Sequence, residues 1–198
     1  MTTTERTLRP RLLVTGIGLF AVAAVLVSMS ASGSQADHEP IHGVPLSTPG
    51  QHNQFTDDVA IQVRDKPDGR STEVVNLRDA SNMAVFEFTI QPGAWFPWHT
   101  HPGPVLAAVA QGDLVFIYAD DCLERGYDQG EAFVDPGLVH TAYNPSDAEV
   151  TVVVATVLSV APGASAAIPV EAETAEELNA ACGTEAPVPG AQGSAHNH

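Results

Sequence analysis

Hydrophobic positions along this chain recur mostly at a spacing of two, in short runs broken by clusters of turn-forming residues. Over 83–91, Phe86, Phe88 and Ile90 fall on one side of an extended backbone, because successive side chains of a strand point to opposite faces. Comparable short runs occupy 59–63, 98–101, 105–110, 114–118, 132–134, 139–143 and 149–160. Between them stand Pro92 and Gly93, Gly112 and Asp113, Gln129 and Gly130, Asp135 with Pro136 and Gly137, and Asn144 to Asp147. Each of these residue types supports a turn, by fixing or freeing the backbone or by bonding back to it. Many short strands with almost no helical pattern between them predict an all-β sandwich or barrel.

The two ends of the chain follow other rules. Residues 171–181 are rich in Ala, Glu and Leu and predict a short C-terminal helix, with Pro169 and Gly183 suited to its ends. Residues 37–57, rich in Pro, Gly, His, Asn and Gln without apolar periodicity, read as a linker. From 184 to 198 the composition turns to Gly, Pro and Ala and reads as a disordered tail. The expected order is therefore a leader over 1–36, the linker, a barrel over 58–168, a helical segment over 169–183 and the tail.

The leader has the pattern of an export signal. Arg6, Arg9 and Arg11 precede an uncharged, mostly apolar run over 12–27, and Ser34, Gln35 and Ala36 offer a cleavage site. That run is shorter than the roughly 18 residues that cross a bilayer comfortably. Counting on to Ser32 lengthens it, so an uncleaved membrane anchor is the alternative. Either way the domain is expected outside the cytoplasm, secreted or extracytoplasmic. Export also changes the reading of Cys122 and Cys182, the only two cysteines, which an oxidising compartment lets join; two separate thiols are the alternative. The net charge of -16, with 8 basic residues, excludes a nucleic-acid partner, which requires clustered Lys and Arg.

The candidate chemistry lies in three histidines. His99 and His101 are two apart, which puts both imidazoles on one face of a strand, and His140 lies in another strand-like segment that a neighbouring position could bring to the same place. Three imidazoles with open positions suit one divalent transition metal ion: iron, copper, manganese, nickel or zinc. The His-x-His pair by itself is equally compatible with surface histidines.

The surrounding residues add a resemblance. Gly93, five residues, His99, Thr100, His101 and later Gly112 resemble the first motif of the cupin superfamily; Gly130, five residues, Pro136, His140, three residues and Asn144 resemble its second. Only 113–129 separates them, as in small bacterial single-domain cupins. The resemblance implies a double-stranded β-helix, or jelly-roll barrel, with a metal in its mouth held by His99, His101 and His140. Two departures accompany it. Val105, followed by Leu106, stands where the family usually places a glutamate, and the second motif is one residue short between Pro136 and His140. The implied site is a neutral set of three histidines, with the charge of the ion left to water, hydroxide or an anionic substrate. Some cupin dioxygenases acting on thiols or diketones are similar in lacking the glutamate.

Trp95, Phe96 and Trp98 crowd the approach to His99 and are expected to wall an apolar pocket, with barrel packing or a homodimer face as the alternative reading. Tyr118 is a further pocket candidate, against a place in the core with its hydroxyl at the rim. Glu131 reads as a solvated carboxylate rather than a fourth ligand, and His38, His42, His52, His196 and His198 as bystanders. No acid or base candidate stands out. The functional expectation is an exported metal-binding protein, as an enzyme a metal-dependent oxygenase acting on a small molecule. The alternatives are a non-catalytic module binding metal or a small ligand, and an anchored dimer whose barrel presents an interface.

Overall fold

The computed structural model describes residues 39–46, 53–78 and 80–190. The expectations placed on 1–36, His38, His52, His196 and His198 lie outside these residues. Thirteen strands precede the helix: β1 (Ile41–Pro45), β2 (Asn53–Gln54), β3 (Ile61–Asp65), β4 (Glu73–Leu77), β5 (Asn82–Ile90), β6 (His99–Thr100), β7 (Val105–Gln111), β8 (Leu114–Tyr118), β9 (Glu124–Tyr127), β10 (Ala132–Asp135), β11 (His140–Tyr143), β12 (Thr151–Leu158) and β13 (Ile168–Pro169). The helix α1 covers Ala172–Cys182. The pairing is antiparallel throughout, in the two main sheets of a double-stranded β-helix.

One sheet runs β1-β5-β12-β7-β10, with β2 also on β5. Its centre follows from period-two patterning. In β12, Val153, Ala155 and Val157 are buried, opposite Phe88, Phe86 and Ala84 of β5, while Val109 and Ala107 of β7 lie beside the first two. The facing sheet runs β13-β6-β11-β8-β9. Its Leu114, Phe116, Tyr118 and Ala142 join Ile90, Ala107, Val109 and Val153 in one buried cluster, and burying these apolar surfaces drives the two sheets together.

β8 departs from alternation, with Phe116, Ile117 and Tyr118 all buried, because both of its faces are covered. Phe116 and Tyr118 face the interior, whereas Ile117 packs outward with Trp98, Ala175 and Ala186 under α1. The helix ends where expected: Gly183 adopts the left-handed conformation (φ 66°) that side-chain-bearing residues resist, and its amide donates to the Asn179 carbonyl. Cys122, in the turn after β8, and Cys182, at the end of α1, are bonded to each other. Among the described residues no helix is long and apolar enough to cross a membrane.

Several expectations change. The stretch read as a linker contains β1, which pairs with β5 over five residues, and β2. β1 is an edge strand that is largely exposed, so backbone pairing holds it and no apolar period announces it. Gly43 leaves room there for the Phe88 ring, which a Cβ at this position would approach to 2.8 Å. Ala186, within the stretch read as a disordered tail, is instead buried, and its carbonyl accepts from the Asn179 side-chain amide at 2.7 Å. β9 lacked an apolar signal because its buried residue is Arg125, which the Asp121 carboxylate neutralises at 2.7 Å. Similarly, β4 escaped the pattern and pairs only with β3, as a separate hairpin.

Candidate metal centre

His99 and His140 are brought together by direct pairing of β6 with β11, in which they are opposite one another. His101 follows two residues after His99 and returns to the same side. One ligand atom from each of the three lies within 4.8 Å of the others. The ring centroids of His99 are 4.3 Å from His140 and 4.8 Å from His101.

Each ring is oriented by a backbone carbonyl on Nδ1: Pro97 for His99 at 2.7 Å, Ala166 for His101 at 2.6 Å, and Leu138 for His140 at 2.8 Å. A carbonyl only accepts, so Nδ1 carries a proton in all three, and in the neutral ring the lone pair is left on Nε2. Burial, reinforced by the neighbouring imidazoles, holds His99 well below the usual histidine range, and burial followed by His101 brings His140 down to about 3. Both are therefore neutral at ordinary pH, the form a metal requires.

The shortened second motif is absorbed by a tight turn. Gly137 takes φ 95°, and its carbonyl accepts from the Thr100 hydroxyl at 2.6 Å, which ties the turn to β6 and still delivers His140. Asn144, fully buried, donates to the carbonyls of Ile90 and Glu149 and accepts from the Ser146 amide, so it pins the far end of β11 rather than facing the site.

A carboxylate that the sequence did not single out lies next to this cluster. Asp135, the last residue of β10 and 1% exposed, lies beside the histidines: its Oδ2 is 3.5 Å from His140 Nδ1 and 3.9 Å from His101 Nε2. Its Oδ1 accepts from the amides of Gly137 and Leu138, and burial pushes its carboxyl up to about 6 against those bonds. In the sequence it is indistinguishable from an ordinary turn residue ahead of Pro136. Its proximity depends on the register of β10 against β7, where Asp135 is paired with Val105.

The histidines line a cavity of about 510 Å³ between the two sheets, together with Phe86, Phe88, Phe96, Phe116 and Phe133 among other apolar residues. Of the four aromatic residues expected in the pocket, Phe96 lines it. Trp98 is adjacent to His99 and so faces the opposite way, buried under α1 with its indole N–H donating to Asn179 Oδ1 at 2.8 Å. Trp95 stacks on Tyr143 with centroids 3.9 Å apart. Tyr118 belongs to the interior core, with the guanidinium groups of Arg70 and Arg125 over its ring, but does not line the cavity. Glu131 is exposed and accepts from the Asp128 amide, and His42 is exposed on β1.

A jelly roll whose inner face carries a cluster of three histidines defines the class of domain, and sequence comparison points to the same class. The profile of the cupin domain matches residues 86–156, from within β5 to within β12. Over these residues the chain carries a cupin domain.

Among solved structures, it is similar to the polyketide cyclase RemF from Streptomyces resistomycificus at 19% identity, covering 56% of this chain and 69% of that one with a TM-score of 0.39. A cupin-like protein from Thermotoga maritima is 22% identical over 52% of this chain and 75% of that one, with a TM-score of 0.39. A cupin domain from Bordetella pertussis is 20% identical over 54% of this chain and 99% of that one, with a TM-score of 0.35. No curated protein matches the sequence.

Proposed function

We propose that the protein is an exported metal-binding cupin that acts as an oxygenase on a small, largely apolar molecule, with His99, His101 and His140 holding one divalent transition metal ion. The observation that carries this reading is the shared orientation of the rings. All three Nδ1 atoms are committed to carbonyls, which leaves Nε2 of each neutral ring as the available ligand, and the three histidines cluster on the wall of an apolar cavity.

The residues fit a cation on a further ground. The buried Asp135 Oδ2 has no hydrogen-bond partner, and a buried acceptor without a donor is costly. An ion bound here supplies Lewis acidity, and iron or copper adds redox chemistry. The protein contributes the rest. Phe86, Phe88, Phe96, Phe116 and Phe133 exclude water and take up the apolar body of the ligand, while the three carbonyls keep the imidazoles in a single tautomer. Export is supported by the leader pattern over 1–36 and by the Cys122–Cys182 bond, which suits an oxidising compartment.

Metal analysis of the secreted protein tests this reading, made with and without His140→Ala and followed by oxygen-uptake assays with thiols, diketones and flavonoids. The expected result is close to one equivalent of metal in the wild type, its loss in the variant, and oxygen uptake with one of these classes. Metal-free wild-type protein would overturn the proposal. Bound metal with no turnover would point to a non-catalytic binding module. N-terminal sequencing of the same material distinguishes a cleaved signal from a retained anchor.

A further inference from the structure

The two oxygens of Asp135 have different surroundings. Oδ1 caps the turn that follows β10 by accepting from the amides of Gly137 at 2.9 Å and Leu138 at 3.3 Å. Oδ2 has no hydrogen-bond partner although the residue is 1% exposed. The two imidazole nitrogens beside it offer it little. His140 Nδ1, 3.5 Å away, already donates to the Leu138 carbonyl at 2.8 Å. His101 Nε2, 3.9 Å away, is beyond hydrogen-bond reach, and in the neutral ring, whose Nδ1 donates to the Ala166 carbonyl, it presents a lone pair. A carboxylate oxygen and an imidazole lone pair thus face one another across a short gap in a buried place, and both are acceptors. A turn cap needs only the first oxygen, and an asparagine would provide it. A positive charge, or a donor carried by a bound ion, satisfies the second together with the imidazoles.

We propose that Asp135 is the fourth protein group of the metal centre, a carboxylate that balances part of the charge of the ion through Oδ2. The proposal rests on the metal-binding reading given above. Its position supports the role: Asp135 is paired across the β10–β7 ladder with Val105, and both line the cavity beside the histidines. Three imidazole nitrogens and a carboxylate oxygen form a set suited to iron, manganese or zinc. With one negative charge built into the wall, the centre does not need its ligand to be an anion. This fits a neutral molecule whose apolar body lies among the cavity phenylalanines.

Zinc affinity of the full mature chain, measured by competition with a chromophoric chelator, tests the proposal. Asp135→Asn keeps the Oδ1 cap and the shape of the residue while removing the charge, so zinc binding should weaken roughly 10–100-fold. The unfolding midpoint of the metal-free variant should stay close to that of the wild type. Equal zinc affinity in the two proteins would overturn the role of Asp135, whether or not the midpoint moves. Failure of the wild type itself to bind zinc, iron or manganese would instead overturn the metal-binding reading, with His140→Ala as the control for binding at the histidines. Should Asp135→Asn not fold, the carboxyl carbon resonance of Asp135 can be followed in the wild type. Its displacement on saturation with zinc supports the assignment, and an unmoved resonance refutes it.

Discussion

Replacing Cys122 and Cys182 together by alanine removes the bond between the turn after β8 and the end of α1, and the size of the effect can be worked out in advance. The two residues are 60 apart in sequence. On the chain-entropy relation, a loop of that length restricts the unfolded chain by about 4 kcal/mol. The folded state loses little besides, because other contacts hold the same segment: the Trp98 indole bonds to Asn179, the Val170 amide donates to the Trp98 carbonyl, and Ala175 and Leu178 pack over Ile117 and Trp98. The expected loss of about 4 kcal/mol corresponds to a fall of roughly 8–16 °C in unfolding midpoint for a domain of this size. Urea unfolding of the protein, oxidised, reduced and doubly substituted, measures it directly, and the denaturant slope should rise as the unfolded chain expands. A loss below about 1 kcal/mol would show that the bridge does not restrict the unfolded ensemble as argued. The same variant bears on the site, because residues 165–169 carry the Ala166 carbonyl that orients His101. Metal content should be unchanged wherever the variant remains folded. Its loss there would mean that the covalent bond, rather than the packing of α1, holds that carbonyl in place.

Three further outcomes follow from packing and charge. Burial alone would raise the Asp121 carboxyl, but bonds from Arg125, the Leu123 amide and Arg70 outweigh it and bring the group down to about 2. Its stabilising effect is therefore complete above the unfolded value near 3.8 and is lost as the pH falls through about 2, a change of at most about 2 kcal/mol. Acid titration of metal-free wild type against Asp121→Asn should show the difference narrowing over that window, and parallel curves would contradict the assignment. Gly103→Ala would place a Cβ 2.6 Å from the Leu158 carbonyl oxygen, a backbone atom that cannot swing aside, and should cost about 1–3 kcal/mol by thermal unfolding; an unchanged midpoint would count against this contact. Trp98→Phe deletes the bond to Asn179 Oδ1, which Thr184 continues to satisfy, so the loss should be about 1 kcal/mol, with zinc affinity unaltered because the side chain faces away from the histidines.

Of the strands of the two main sheets, β5 to β8 and β10 to β12 were legible in the sequence, as were the helix ending at Gly183 and the shared side of His99 and His101. Each depends on the positions of consecutive residues, through the period of a strand or the backbone freedom of a glycine. The fact that Trp98 faces away from His99 follows from the same alternation and was available there too. Other features depend on residues distant along the chain. β1 is held by backbone pairing with β5, some forty residues on, and β9 is held by a buried ion pair, so neither leaves an apolar trace. Three carbonyls decide the tautomers of the histidines, and the one on His101 comes from Ala166, 65 residues away.

Asp135 shows the division most clearly. As a residue before Pro136 it announces a turn, and its Oδ1 makes one. Only the ladder that sets β10 against β7, and the pairing of β11 with β6, place its second oxygen beside His101 and His140. The sequence by itself determined the kind of fold and the three imidazoles. The tertiary structure decided which carboxylate lies beside them, because strand register is set by cross-strand packing and not by any local pattern.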